Sequence, residues 1–319
     1  MLNRFSEWIS EHDFAAALFA DLAVLSAVFT LLAGLVLALV TLRKGFWAGC
    51  RVMAYAILIL TGLIALELTA PTAKPGLSTA GLFSLIELTG FWIVLVLLAS
   101  LIRSGRSLSL VVEIASMLGL AGVLVFRALV PNPKQYWSHW FQESMGHYFA
   151  HQPVYLALGR MMAAHAPWLI GSFAAVFVLV ISLLLLAARW LQMRLEQPGR
   201  FGDEFRSFRC GYAASFLFAL VVIVAAVARS DLFDNFSFVL AVMFIYQGLA
   251  VLQRWVKLYP RLAWGRLLVY VLLVSSFFGS VLGPPVSILA LLGENLWVVL
   301  MLVGFFDNFF PRRLPSAVA

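Results

Sequence analysis

The residues of this chain that could do chemistry are carboxylates and amides set inside long apolar runs. Asp21, Glu67, Glu87 and Glu294 each stand among twenty or so hydrophobic neighbours. Burying a carboxylate in hydrocarbon is costly, and such residues usually face a bundle interior or a water-filled cavity. Four of them drawn together would attract a cation. Asn295 and Gln247 could complete its shell, and aromatic faces such as Trp92 and Trp297 bind organic cations. Glu87 and Glu294 are the leading pair, being deepest in their runs and well removed in sequence from any basic residue. The competing reading is scattered structural acids. Glu67 is close to an expected interface, Asp21 can cap or bend its helix, and a lone buried acid can be protonated because burial raises a carboxyl pKa.

The stretch LLGENLWVVLMLVGFFDNFFPRRL carries two acid–amide pairs, Glu294-Asn295 and Asp307-Asn308. On one helix Glu294 and Asn308 share a face but lie about 21 Å apart along the axis, too far for a single site. Asp307 precedes Pro311 and Arg312-Arg313, where an interface is expected, so it reads as structural, paired with an inner-loop arginine. Glu113 is expected to pair with Arg103 or Arg106.

A second constellation is SHWFQESMGHYFAH, in which His139, Glu143, His147 and His151 recur every four residues. His147-x3-His151 can chelate zinc or copper from one helical face, with Glu143 adding an oxygen. Trp137, Phe141 and Tyr148 fill the opposite face, as a helix lying at a membrane interface requires. The membrane-lying helix is the expectation, and no metal site is predicted. There is no HExxH helix, GxSxG elbow, Walker A loop or GxGxxG turn, so neither an enzyme nor a cofactor is expected. Cys50 and Cys210 have no CxxC or Cys/His neighbours and read as small packing residues.

The elements that must position these groups are membrane helices. The chain of 319 residues is 63% hydrophobic and 12% charged, with a mean hydropathy of +0.98; soluble domains are about a quarter charged. Apolar runs without strand alternation predict an all-α, polytopic bundle of about nine spans, near 14–42, 47–69, 77–102, 107–130, 168–192, 210–229, 233–256, 263–282 and 285–309. The first is 29 residues long, enough for one span or a hairpin. The polar start RFSEWISEHDF is followed by no small-residue cleavage site, so no cleavable signal is expected. Sixteen of the 22 basic residues, among them Arg43, Arg103, Arg189 and Arg254, fall in loops that would share one side if the N-terminus were outside. The positive-inside rule then gives N-out, C-in in a bacterial inner membrane, and the net charge of +7 reflects topology rather than nucleic-acid binding. On this topology Asp21, Glu67, Glu87 and Glu294 all lie in outer half-helices, within about 3–15 Å of the outer boundary.

Two polar interruptions divide the chain into a four-span region at 1–130, an outer amphipathic segment at 131–167, and a five-span region at 168–319 containing an inner loop at 191–209. In that loop Phe201, Phe205 and Phe208 sit at helical spacing with Arg200, Arg206 and Arg209 among them, either an amphipathic helix at the inner headgroups or a docking surface built on Phe201, Phe205, Arg206 and Phe208. The spacings Ala16-x3-Ala20 and Ala23-x3-Ala27 would allow close helix approach.

ALVTLRKGFWAGC at 38–50, ARWLQMRLEQPGRFGDEFRSFR at 188–209, YQGLAVLQRW at 246–255 and VGFFDNFFPRR at 303–313 together resemble the proteobacterial branch of the YybS-like membrane proteins. That family is often grouped with the substrate-binding S-components of energy-coupling-factor transporters. The resemblance implies an S-component-like helical core and supplies no ligand residues; a solute-binding component of that kind would need an energising partner, because the sequence shows no ATP-binding motif. The functional expectation is a membrane protein that binds a small cationic solute in the outer half of the bundle. The alternative is a non-catalytic subunit or scaffold that docks partners through its spans and the 194–209 loop.

Overall fold

A computed structural model describes residues 30–69, 77–133, 135–139, 153–259, 263–278 and 284–310. Every regular element among them is a helix: α1 Thr30–Lys44, α2 Phe46–Thr69, α3 Leu77–Arg103, α4 Leu108–Leu129, α5 Pro153–Glu196, α6 Arg200–Arg206, α7 Tyr212–Ala228, α8 Asp231–Leu258, α9 Ala263–Phe278 and α10 Pro284–Asp307. Four of these are long and apolar enough to cross a membrane: α3 over Leu85–Arg103, α4, α5 over His165–Glu196, and α8. Shorter apolar stretches occupy Phe46–Gly62, α7 and Asn295–Asp307. Of the nine expected spans, length and composition thus support four among the described residues, as a membrane protein requires. The first 29 residues, with Ala16, Ala20, Ala23 and Ala27, lie outside the described residues.

The chain forms two compact units, one of 1–111 with 180–205 and one of 112–179 with 206–319. In the first, Ala33, Val36, Leu37 and Val40 make one face of α1, and Ala48, Val52, Ala56 and Leu60 make a stripe of α2 at every fourth residue. Trp92 and Val96 of α3 close the cluster. The small residues in these stripes matter because helices in lipid associate by close van der Waals packing rather than by leaving water. Gly49 illustrates this: a Cβ there would collide with the side chain of Thr41. The turns are built from local chemistry. Gly45, at φ +103°, ends α1, where Arg103 donates to Leu42 O at 2.7 Å and also to Arg43 O, satisfying carbonyls that the helix leaves open. Past α3, Arg106 N donates to Leu101 O and Gly105 N to Ile102 O, the paired bonds of a Schellman cap.

In the second unit α8 is the central helix: α10 packs most extensively against it, α7 lies on it, and α9 packs on α10. Asp231 and Asp234 in its first turn and Lys257 in its last suit the helix dipole. α8 and α10 meet backbone to backbone. A Cβ on Gly248 would strike Leu300 O, and one on Gly304 would strike Phe244 O. Phe218, Phe244 and Phe305 interlock beside this crossing, with centroids 4.9 to 5.6 Å apart.

Helix α5 changes the division expected from sequence. It runs 44 residues through Pro167, so positions 153–167, read as part of an outer segment, are continuous with the following helix. The inner loop is also shorter than expected. α5 continues to Glu196, and α6 is a seven-residue helix ending at Arg206.

Candidate functional site

Glu87 is exposed on α3. Trp92 is 1% exposed and packs in the α1–α3 core, where its indole nitrogen has no hydrogen-bond partner among the described residues. It is a packing residue there, not a wall of an open cavity. Asn295 is exposed on α10. Glu87 and Trp92 belong to the first unit, and Glu294 and Asn295 to the second. Asp21 and the side chains of Glu67 and Glu294 lie outside the described residues. Glu143, His147 and His151 do too, while His139 is exposed. Among the described residues no group of three or more His, Cys, Asp or Glu is placed to hold a metal.

Gln247 is not part of an outer acidic site. It is fully buried in a polar knot at the C-terminal end of α10. Its carbonyl oxygen accepts from Cys210 N at 2.9 Å, and its amide donates to Asp307 Oδ2 at 3.1 Å and Asn308 Oδ1 at 2.8 Å. Asn308 donates in turn to Ser215 Oγ at 2.6 Å. Arg254 pairs with Asp307 at 2.7 Å, the structural ion pair expected of Asp307. Arg209 donates to Asn308 Oδ1 at 3.0 Å and to the main-chain carbonyls of Asp307 and Asn308 at 3.3 and 2.6 Å, capping the helix end. Glu113 departs from expectation: its carboxylate accepts from Gly211 N at 2.7 Å, at the positive N-terminus of α7. Burial, with the negative charge of Glu113 second, pushes the Cys210 thiol, in the loop before α7, well above its ordinary pKa. These groups engage one another, so the knot reads as a structural clasp that locks α7, α8 and the end of α10 together.

The proposed docking surface is also revised. Phe208 is buried and unavailable to a partner. Phe201 and Phe205 stack at 6.1 Å and remain partly exposed, as does Arg206. Arg189 holds Glu204 at 3.1 Å, tying α6 to α5.

A concave feature of the second unit lies elsewhere. A crevice of about 670 Å³ opens between α5, α7, α8 and α10. Its walls are apolar, from Ala175, Val176 and Leu179 on one side to Ile245, Val298 and Met301 on others, with Trp297 in the wall. Polar groups gather at one end, where Asp234, Ser172 and Ser237 line it. A second clasp fixes that end. Asn235, 4% exposed, accepts from Gly171 N at 2.9 Å and donates to Pro167 O at 2.8 Å and Asp231 O at 2.7 Å. Gly171 N–H and Pro167 C=O are the pair that an uninterrupted helix would join to each other, and the carboxamide of Asn235 engages both. A Cβ at Gly171 would collide with Asn235, so the glycine is what lets α8 come this close.

No family model, curated protein or solved structure matches the chain. Asp234 and Asn235 escaped the sequence reading, although a signal was present. Phe-Asp-Asn-Phe occurs twice, at 233–236 and 306–309. In both copies the asparagine is buried and cross-links helices, while the aspartate faces either an arginine, in Asp307, or the crevice, in Asp234.

Proposed function

We propose that this protein binds a small organic molecule with a cationic group in the crevice of its second unit. The observation that carries the reading is the crevice itself. Its volume of about 670 Å³ falls within the roughly 300–1,000 Å³ of small-molecule sites, which are mostly apolar with a few placed polar groups. Asp234 provides the negative charge, and among the described residues it makes no ion pair. The outer-half cation site expected from sequence is kept in kind and moved in place, from Glu87 and Glu294 to Asp234, Ser172, Ser237 and Trp297. We further propose the nine-span, N-out arrangement in a bacterial inner membrane, because the basic residues are biased to one set of loops. Transport by an S-component-like mechanism would need an ATP-hydrolysing partner, since this chain carries no nucleotide-binding motif.

The test is gentle extraction followed by native mass spectrometry. A retained small-molecule mass that disappears in Ala241→Trp, which fills the crevice, supports the reading. A ligand-free wild type that binds no added organic cation overturns it.

One observation favours a scaffold role as a second reading. α6 has no buried residues and presents the stacked Phe201–Phe205 pair. A stoichiometric protein partner that is released by Phe205→Ala would establish that role.

A further inference from the structure

We infer that the ligand of this crevice is a single-chain amphiphile with an ammonium head, seated along one leaflet of the bilayer; the inference rests on the crevice being a binding site. The length of the crevice suits an alkyl chain. From Asp234 to Ile245 the α8 wall advances 11 residues, roughly 16 Å at the α-helical rise. That is about half of a hydrocarbon core of roughly 30 Å, the depth of one leaflet. The lining along this path, through Phe238, Ala241 and Val242, is apolar, as an alkyl chain requires.

The polar end of the crevice suits a cationic head. α8 has 28 residues, about 42 Å, which exceeds the hydrocarbon core and places its first turn at headgroup depth. Asp234 and Ser237 on that first part of α8 and Ser172 on α5 line the crevice there. Ala225 and Ala226, in the last turn of α7, line the same end. A helix C-terminus carries about half a negative charge. The N-terminus of α8 contributes about half a positive charge, which Asp231 and Asp234 outweigh. Arg229, the nearest cation in sequence, is exposed and makes no ion pair with Asp234 among the described residues. The end is net negative and suits an ammonium group, whereas a fatty acid would place a second carboxylate beside Asp234.

The mouth is also built rather than incidental. Asn235 stands next to Asp234, and Gly171 next to Ser172. The bonds from Asn235 to Gly171 N and Pro167 O set the spacing of the two residues that would flank the head.

The experiment measures binding of dodecylamine, dodecanol, dodecanoate and butylamine to the full chain in a non-ionic detergent, by native mass spectrometry. Dodecylamine is expected to bind best. Asp234→Asn should weaken it about tenfold, the loss of one charge-assisted bond, Asp234→Glu should restore it, and Ala241→Trp should abolish it. Equal binding of all three twelve-carbon probes, unaffected by Asp234→Asn, would overturn the ammonium head while leaving the crevice as a site. Butylamine binding as tightly as dodecylamine would overturn the chain. Failure of every probe to bind would overturn both the amphiphile and the binding function beneath it.

Discussion

Gly304→Ala tests the packing that holds the crevice walls in place. At Gly304 the added methyl would meet Phe244 O and lie 2.7 Å from Gly248 N. Both obstacles are backbone, so no rotamer change relieves them, and α10 must move away from α8 or distort. Overpacking a well-filled core costs about 1–3 kcal/mol, and a backbone collision belongs at the top of that range, about 3 kcal/mol. The helix-propensity gain of alanine over glycine, about 1 kcal/mol, offsets only part of it. A net loss of about 2 kcal/mol raises the unfolded population roughly 30-fold and lowers the melting temperature by roughly 4–8 °C for a unit of this size. Gly122→Ala in α4 is the internal control. A Cβ there meets nothing within 4 Å, so the same chemical change should stabilise by up to about 1 kcal/mol. Thermal unfolding in mild detergent, followed by circular dichroism, reads both variants. Opposite signs are expected. A Gly304→Ala protein that melts at or above the wild-type temperature would refute the close α8–α10 approach and with it the geometry of the crevice.

Other consequences follow from the two clasps. Arg254 and Asp307 are each less than a quarter exposed, so Asp307→Ala should leave a partly buried arginine unpaired and cost about 2–3 kcal/mol; unfolding of the Arg254→Met, Asp307→Leu double variant should recover most of that loss. Asn235→Leu removes the bonds to Gly171 N and Pro167 O and should cost about 1–3 kcal/mol while blunting discrimination among ligand heads more than among tails, as binding of head-varied amines will show. Cys210 is buried, and its thiol is held above the ordinary range by burial and by Glu113, whereas Cys50 is partly exposed. At pH 8 a maleimide should therefore modify Cys50 in the folded protein and reach Cys210 only on unfolding, which mass mapping of labelled peptides decides.

The sequence alone settled the material and the solvent of this protein. Apolar runs of helical length leave the backbone no other way to satisfy its polar groups in lipid, so all-α architecture and membrane residence were legible from hydropathy. Helix boundaries set by local chemistry were legible too. Arg43, Lys44 and Gly45 end α1 where their types say a helix should end, and the role of Asp307 followed from its place before Pro311 and two arginines. The outer segment at 131–167 was the part where local polarity was outvoted. A proline usually stops a helix, yet α5 continues through Pro167, with Asn235, 68 residues away, donating to its carbonyl. Trp92 and Gln247 misled for a related reason. Their chemistry suits a ligand, but whether an indole or an amide faces a cavity or a partner side chain depends on which helices pack against it. Depth along a helix can be counted from sequence, whereas the direction a side chain faces is shared between neighbouring helices. Tertiary structure therefore decided which acid meets an arginine, which asparagine locks two helices together, and which carboxylate, Asp234, lines an apolar crevice and makes no ion pair among the described residues.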